Sequence, residues 1–237
     1  MRYFFATLIC ITLTAAYAAA GGKLDLSSKK DKDSYALGWD IGNTLKKQPI
    51  DLNFDALAKG LKDAVSGSKP LMTEQEVHDA LMAVRNEVVS KQEARRKEQG
   101  EKNKKDGEAF LAKNKKEKGV NVLPSGLQYK VITEGKGKTP KETDMVTVNY
   151  RGTLIDGTEF DSSYRRGQPA TFPVNGVIKG WTEALQLMKE GSKWQLFIPS
   201  NLAYGERGAG QLIGPNAVLI FEVELLSVTQ QGEQQYP

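Results

Sequence analysis

Residues 91–119, KQEARRKEQGEKNKKDGEAFLAKNKKEKG, carry no recurring apolar stripe; apart from the small Ala94 and Ala112, only Ala109, Phe110 and Leu111 interrupt the polarity. A run this charged cannot form a core, because burying unpaired charge costs far more than the surrounding methylenes return. It therefore divides the chain, and the sequence on each side must find its own interior. From 90 to 118, eleven Lys and Arg stand against six Asp and Glu, a surplus that already exceeds the whole chain's net +4. A basic helix can follow nucleic acid. Here acidic residues are interleaved and aromatics are nearly absent, so a solvated helix is the better reading and no nucleic-acid partner is expected. Joined to the helical pattern before it, the run predicts a helix of about 45 residues, about 65 Å long at 1.5 Å per residue. Gly100 and Gly107 are weak points where it could bend. Residues 89–118 are thus expected to be a semi-rigid connecting helix, with a disordered charged linker as the alternative.

The chain opens with MRYFFATLICITLTAAYAAA. Arg2 supplies a positive end, Phe4 to Leu13 a short apolar run and Ala18 to Ala20 small residues for cleavage, which is the pattern of a secretory signal over residues 1–20. The apolar run is too short to span a bilayer comfortably. Cys10 is the only cysteine, and Ile9 stands before it where a lipidation site wants a small residue. After cleavage near Ala20 no thiol remains, so neither a disulfide nor a cysteine nucleophile is expected, and an oxidising compartment is tolerated. Export across the inner membrane follows as the expectation. Free residence in the periplasm and association with the outer membrane both stay open.

Residues 21–88 read as a small helical module. Leu37, Ile41 and Leu45 recur at four-residue steps, with Gly38 and Gly42 beside them as places where another backbone approaches closely. Asn53 is a good N-cap for a second helix carrying Phe54, Leu57, Leu61 and Val65. Thr73-Glu74-Gln75-Glu76 is a capping-box pattern opening a third, with Val77, Leu81, Val84 and Val88 on one stripe. A core of about 70 residues or fewer is marginal alone, so the module is expected to bury these faces against a second copy of itself.

After Gly119 the period changes. Val146, Val148 and Tyr150 alternate; so do Trp194, Leu196 and Ile198, and Leu219, Phe221, Val223 and Leu225. Asp156-Gly157 marks a turn. Residues 119–230 therefore predict an antiparallel sheet around one short helix, VIKGWTEALQLMKEG, in which Trp181, Ala184, Leu185 and Met188 form the buried stripe and Gly191 the stop. Residues 231–237 form a short tail. This region has no histidine, since His78 is the only one in the chain, and it has no cysteine, no phosphate loop and no metal-ligand spacing. No metal and no cofactor are expected, and nucleophilic catalysis is disfavoured. What it holds instead is a set of aromatics at strand ends and loops, each of which taken singly is more often core than pocket.

The order and spacing of these residues narrow the reading. VTVNYRGTLIDGTEFDSS, VIKGWTEALQLMKEGSKWQLFIPSNLAYGERGAG and IGPNAVLIFEVELLSV resemble the FKBP-type peptidyl-prolyl cis-trans isomerases over about residues 120–230. The wider layout resembles the bacterial group that includes the macrophage infectivity potentiators and periplasmic FkpA. The resemblance implies an α+β fold, a half-barrel antiparallel sheet wrapped on a short helix, preceded by an all-α dimerisation module and the charged helix. It implies isomerase activity on X–Pro bonds of polypeptide clients, a homodimer, and affinity for macrolide ligands of the family. Carried over by position, Trp181 floors a proline-binding hollow; Phe160, Phe172, Val177, Ile178 and Phe221 wall it together with Tyr150; Leu212 and Ile213 overhang it. Tyr150, Asp161 and Tyr204 are the expected catalytic residues, with Arg166 within reach of Asp161. Relatives carry larger residues where Ala209 and Ala170 stand, which implies a lower rim here. Asp161 has two readings: electrostatic bias on the twisting amide, or an anchor for Tyr150 and Arg166. Two other functions stay open beside isomerisation: a holdase chaperone with two domains on long arms, and a binding protein that grips proline without turnover.

Overall fold

The computed structural model describes residues 25–230, so the expected signal over 1–20 with Cys10, and the tail 231–237, lie outside the described residues. The chain divides into two units, one ending at Ala58 and one beginning at Lys59. In the first, α1 (Lys29–Lys46) starts at Ser28, whose Oγ accepts from the Asp31 N–H at 3.1 Å. No residue of α1 is buried. Nothing lies within 4 Å of where side chains would begin at Gly38 and Gly42, so the close approach expected there is not made within the described chain. A second helix, α2 (Phe54–Ser66), begins at Asn53, whose Oδ1 accepts from the Asp55 and Ala56 N–H groups.

The second unit contains α3 (Glu74–Asn114), an unbroken helix of 41 residues that opens on the expected capping box between Thr73 and Glu76. Two expectations about it need correction. Gly100 and Gly107, read as weak points, do not interrupt the helix and are not exposed: both are buried. A Cβ on Gly107 would stand 2.7 Å from Val218 Cγ2, and one on Gly100 3.1 Å from Pro215 Cβ. Nor is the segment solvated all round, because its C-terminal half lies against the sheet domain. Asn114 Nδ2 donates to Gln128 Oε1 at 2.9 Å, Gln128 Nε2 donates to the Leu111 carbonyl at 3.0 Å, and the Phe110 and Phe197 rings stand 6.0 Å apart. Positions 96, 100, 103, 107, 110 and 114 share one face of a helix. That face is made of Gly, Asn and one Phe beside an Arg, so a search for aliphatic periodicity passes over it.

Seven strands follow: β1 (Val120–Val122), β2 (Gln128–Thr133), β3 (Met145–Leu154), β4 (Glu159–Ser162), β5 (Ala170–Pro173), β6 (Lys193–Ile198) and β7 (Leu219–Thr229). They form one wholly antiparallel sheet in the order β1-β2-β6-β7-β3-β4, with β5 paired to β3. The alternating residues of β3, β6 and β7 read from the sequence point into one core. Phe197 breaks the alternation of β6 and is buried as well, since Phe110 of α3 covers the face that would otherwise meet water. Two short helices complete the domain, α4 (Ser163–Arg166) and α5 (Lys179–Leu185).

The helix expected to run to Gly191 ends at Leu185. Beyond it Glu190 N–H donates to the Lys138 carbonyl and Gly191 N–H to the Leu225 carbonyl, at 2.9 and 2.8 Å. Bonds to neighbouring segments have replaced the helical ladder there. The stripe itself holds: Trp181, Ala184, Leu185 and Met188 are all buried. A helix of seven residues has no stability of its own, and this one is held because Gly180 lets it come down onto β6, where a Cβ would meet Ile198 Cγ2 at 2.5 Å. Among the described residues no helix is long and apolar enough to cross a membrane.

Candidate active site

Trp181 sits in the first turn of α5, 4% exposed, beneath a hollow of about 720 Å³. Tyr150, Phe172 and Phe221 surround it at ring-centroid distances of 5.2, 6.1 and 5.2 Å, with their planes turned 90°, 90° and 82° from the indole. Walls perpendicular to a floor make a cup, and the edge-to-face contacts that build it are themselves favourable. Phe160 extends the wall, edge-on to Phe221 at 5.4 Å. The glycine of the Tyr-x-Gly-x-Leu stretch makes room for this pair: a Cβ on Gly152 would stand 2.7 Å from both Phe160 and Phe221. Val177 and Ile178 line it at the start of α5, and Leu212 and Ile213 line it from the loop that joins β6 to β7.

One polar cluster stands at the mouth. Tyr150 Oη donates to Asp161 Oδ2 at 2.5 Å, and Arg166 donates through Nη1 to Asp161 Oδ1 and through Nη2 to Tyr150 Oη, the latter at 2.6 Å. The Ser162 N–H also donates to Asp161 Oδ1, at 2.8 Å. Burial pushes the Asp161 carboxyl upward, but the hydrogen bonds from Tyr150 and Arg166 outweigh it and hold the group below its ordinary value. The Tyr150 phenol moves the other way, raised by burial and by its bond to Asp161. At neutral pH the cluster is a carboxylate, a neutral phenol and a guanidinium. None of the three is a nucleophile poised for attack.

Every residue expected to catalyse or to bind substrate falls at this hollow, and all but Arg166 line it; Arg166 bonds to Asp161 and Tyr150. Tyr204 lines the far rim, 42% exposed, and its hydroxyl makes no hydrogen bond among the described residues. Ala209 is at the rim, whereas Ala170 lies on β5 opposite Val148, packs on the core and does not itself line the hollow. The sequence reading missed Ser163. This fully buried residue accepts the Tyr150 N–H on its Oγ at 2.9 Å and pins α4 to β3, and the single turn that follows carries Arg166 to Asp161. The signal was the serine pair before Tyr164: Ser162 caps the turn, accepting from the Arg165 N–H at 3.3 Å.

Comparison with known proteins agrees with this geometry. Residues 136–226 match the FKBP-type peptidyl-prolyl cis-trans isomerase family, and residues 30–131 match the domain amino terminal to FKBP-type peptidyl-prolyl isomerase. Over 228 residues the chain is 48% identical to the outer membrane protein MIP of Legionella longbeachae, covering 96% of this chain and 97% of that one. The chain belongs to the FKBP-type peptidyl-prolyl cis-trans isomerases. Its isomerase domain is the sheet and cup just described. It is also similar to the FKBP-type 22 kDa peptidyl-prolyl cis-trans isomerase of Escherichia coli, 48% identical over 82% of this chain and 93% of the relative. Among solved structures, FkpA from Escherichia coli superposes with a TM-score of 0.69 at 42% identity, covering 86% of this chain and 99% of that one.

Proposed function

We propose that the cup above Trp181 receives the proline ring of polypeptide clients in the periplasm after export, and that isomerisation of the X–Pro bond proceeds there without a proton transfer or a covalent intermediate. The observation that carries this is the floor and walls of aromatic rings with a single paired carboxylate at the mouth. Amide resonance makes the C–N bond partly double, with a rotation barrier of about 18–20 kcal/mol. The same resonance makes the planar form more polar than the twisted one. Water favours the planar form, whereas an aromatic cup withdraws that preference, and each difference of about 1.4 kcal/mol is about tenfold in rate. The Tyr204 hydroxyl and the Ile178 N–H, which makes no backbone hydrogen bond among the described residues, are donors for the carbonyls on either side of proline. A macrolide ligand of the family would compete for the same cup. The test is a protease-coupled prolyl-peptide assay on the full chain. Turnover above the uncatalysed rate supports the reading; peptide binding without turnover would leave a binding protein in its place.

Two copies of the chain join through the N-terminal helices in this proposal. The support is α1, where Leu37 is 67% and Trp39 64% exposed beside Tyr35 and Ile41, an apolar set that a lone chain in water would not keep open. Sedimentation of the full chain is expected to give a dimer, and a monomer at micromolar concentration would end this part of the reading.

A further inference from the structure

The loop over the cup is fastened at its base to α3. Between residues 205 and 216 the chain folds back on itself: the Asn216 N–H donates to the Gly205 carbonyl at 2.8 Å, and Ala209 and Ile213 exchange N–H to carbonyl bonds at 2.8 and 3.1 Å. Its tip, from Ala209 to Ile213, lines the hollow. Its base lies on the connecting helix. Arg96 Nη2 donates to the Arg207 carbonyl at 2.7 Å, and Asn103 Nδ2 donates to the Pro215 carbonyl at 2.8 Å. Asn216 Nδ2 returns a bond to the Gly100 carbonyl at 3.3 Å. Gly214 has no side chain to hold the helix off; a Cβ there would stand 2.9 Å from Gln99 Nε2 and 3.0 Å from Asn103 Nδ2. Both ends of one loop are therefore held by one helical face two turns long, and the loop's other side is the roof of the site.

We propose that the connecting helix belongs to the substrate-binding machinery, with Arg96 and Asn103 as positioning residues that seat the 205–216 loop over the cup. Neither touches the hollow. They act on the loop's own carbonyls, which are fixed in the chain and would otherwise be shared with water. A loop joined only to β6 and β7 has two covalent attachments and the freedom of a dozen residues between them. Two added bonds on the helix side remove part of that freedom before substrate arrives, and preorganisation of this kind appears in affinity. The covered residue is the one before proline, because Leu212 and Ile213 overhang the cup whose floor takes the ring. The same contacts join the arm to the site, so displacement of α3 and loosening of the roof are one event.

This rests on the isomerase reading of the cup, and its test has an arm that does not. In the full chain, Arg96→Ala, Asn103→Ala and the double variant are compared with the parent using prolyl peptides with leucine or alanine before proline. Loss of one such hydrogen bond predicts KM raised about three- to tenfold for the leucine peptide, less for the alanine peptide, and kcat within about twofold because the floor and the Asp161 cluster are untouched. Arg96→Lys, which can still reach a carbonyl, is expected to recover most of the KM. Independently of activity, backbone amides of 205–216 should exchange with deuterium several-fold faster in the double variant while those of β3 and β7 do not change. Unchanged exchange in the loop overturns the proposal whether or not the protein turns over peptide. So does a fall in kcat with KM unmoved. A parent without turnover overturns the isomerase reading alone and leaves the exchange measurement to decide whether Arg96 and Asn103 seat the loop.

Discussion

Replacing Asp161 separates its two roles. Asp161→Leu removes both the charge and the acceptor, whereas Asp161→Asn removes the charge and keeps an amide that can still bond to Tyr150. The fold should survive either change. The Asp161 and Arg166 side chains are 39% and 43% exposed, and an ion pair that open to water contributes about 0–1 kcal/mol. The Tyr150 hydroxyl keeps its bond from Arg166, so the loss of its acceptor adds about 1 kcal/mol. Against a domain stability of about 5–15 kcal/mol, the protein stays folded. The effect on turnover follows from charge. Two unit charges about 5 Å apart at an effective dielectric constant of about 20 interact by about 3 kcal/mol. If under half a charge moves on the amide as it twists, the difference is about 1–1.5 kcal/mol, or roughly tenfold in rate. Both variants should then lose about tenfold or more in kcat/KM in the prolyl-peptide assay, with melting temperatures close to the parent. Parent-like activity in Asp161→Asn with loss only in Asp161→Leu would refute the electrostatic argument and leave Asp161 as an anchor. Parent-like activity in both would remove it from catalysis altogether.

Trp181→Ala deletes a buried indole and is expected to cost about 3–5 kcal/mol, lowering the melting temperature while turnover falls by more than tenfold; a variant that melts earlier but turns over like the parent would show that the floor is structural only. Acid should erase the contribution of the Asp161 cluster to stability. Because the folded carboxyl is held below its ordinary value, its contribution is complete above that ordinary value of about 4 and is lost as pH falls through the folded one. The difference in melting temperature between parent and Asp161→Asn should therefore shrink below about pH 4, and a difference that persists there would have another source.

The isomerase domain was legible because its residues do two jobs at once. Trp181, Ala184, Leu185 and Met188 announce a helix face, and the same indole is the floor of the cup, so periodicity and site coincide. The Asp161 cluster was legible only in part. Resemblance supplied Asp161 and Tyr150, but Ser163, which ties the turn bearing Arg166 to β3, reads in sequence as one more serine before a basic pair. The short α5 looks longer in the sequence than it is because Gly191 is a genuine stop with φ of +86°, although what it ends is a turn fastened to β7.

The connecting helix is present as its sequence implies, but one of its faces is not solvated. Its face toward the domain buries two glycines and an asparagine. None of these registers as hydrophobic, yet each serves the contact by what it lacks or bonds. Gly107 is a gap that Val218 fills, Gly100 a gap for Pro215, and Asn114 a buried polar group that donates to Gln128. A helix can be chosen for closeness as well as for oiliness, and charge on its remaining faces then hides the choice. The isomerase domain therefore has a wall that its own sequence does not encode: Phe197 is left without cover unless Phe110 arrives from outside, and the roof of the cup is left without its fastening unless Arg96 and Asn103 do. An arm that carries an enzyme merely as cargo needs neither contact. This one completes the surface of the domain it holds.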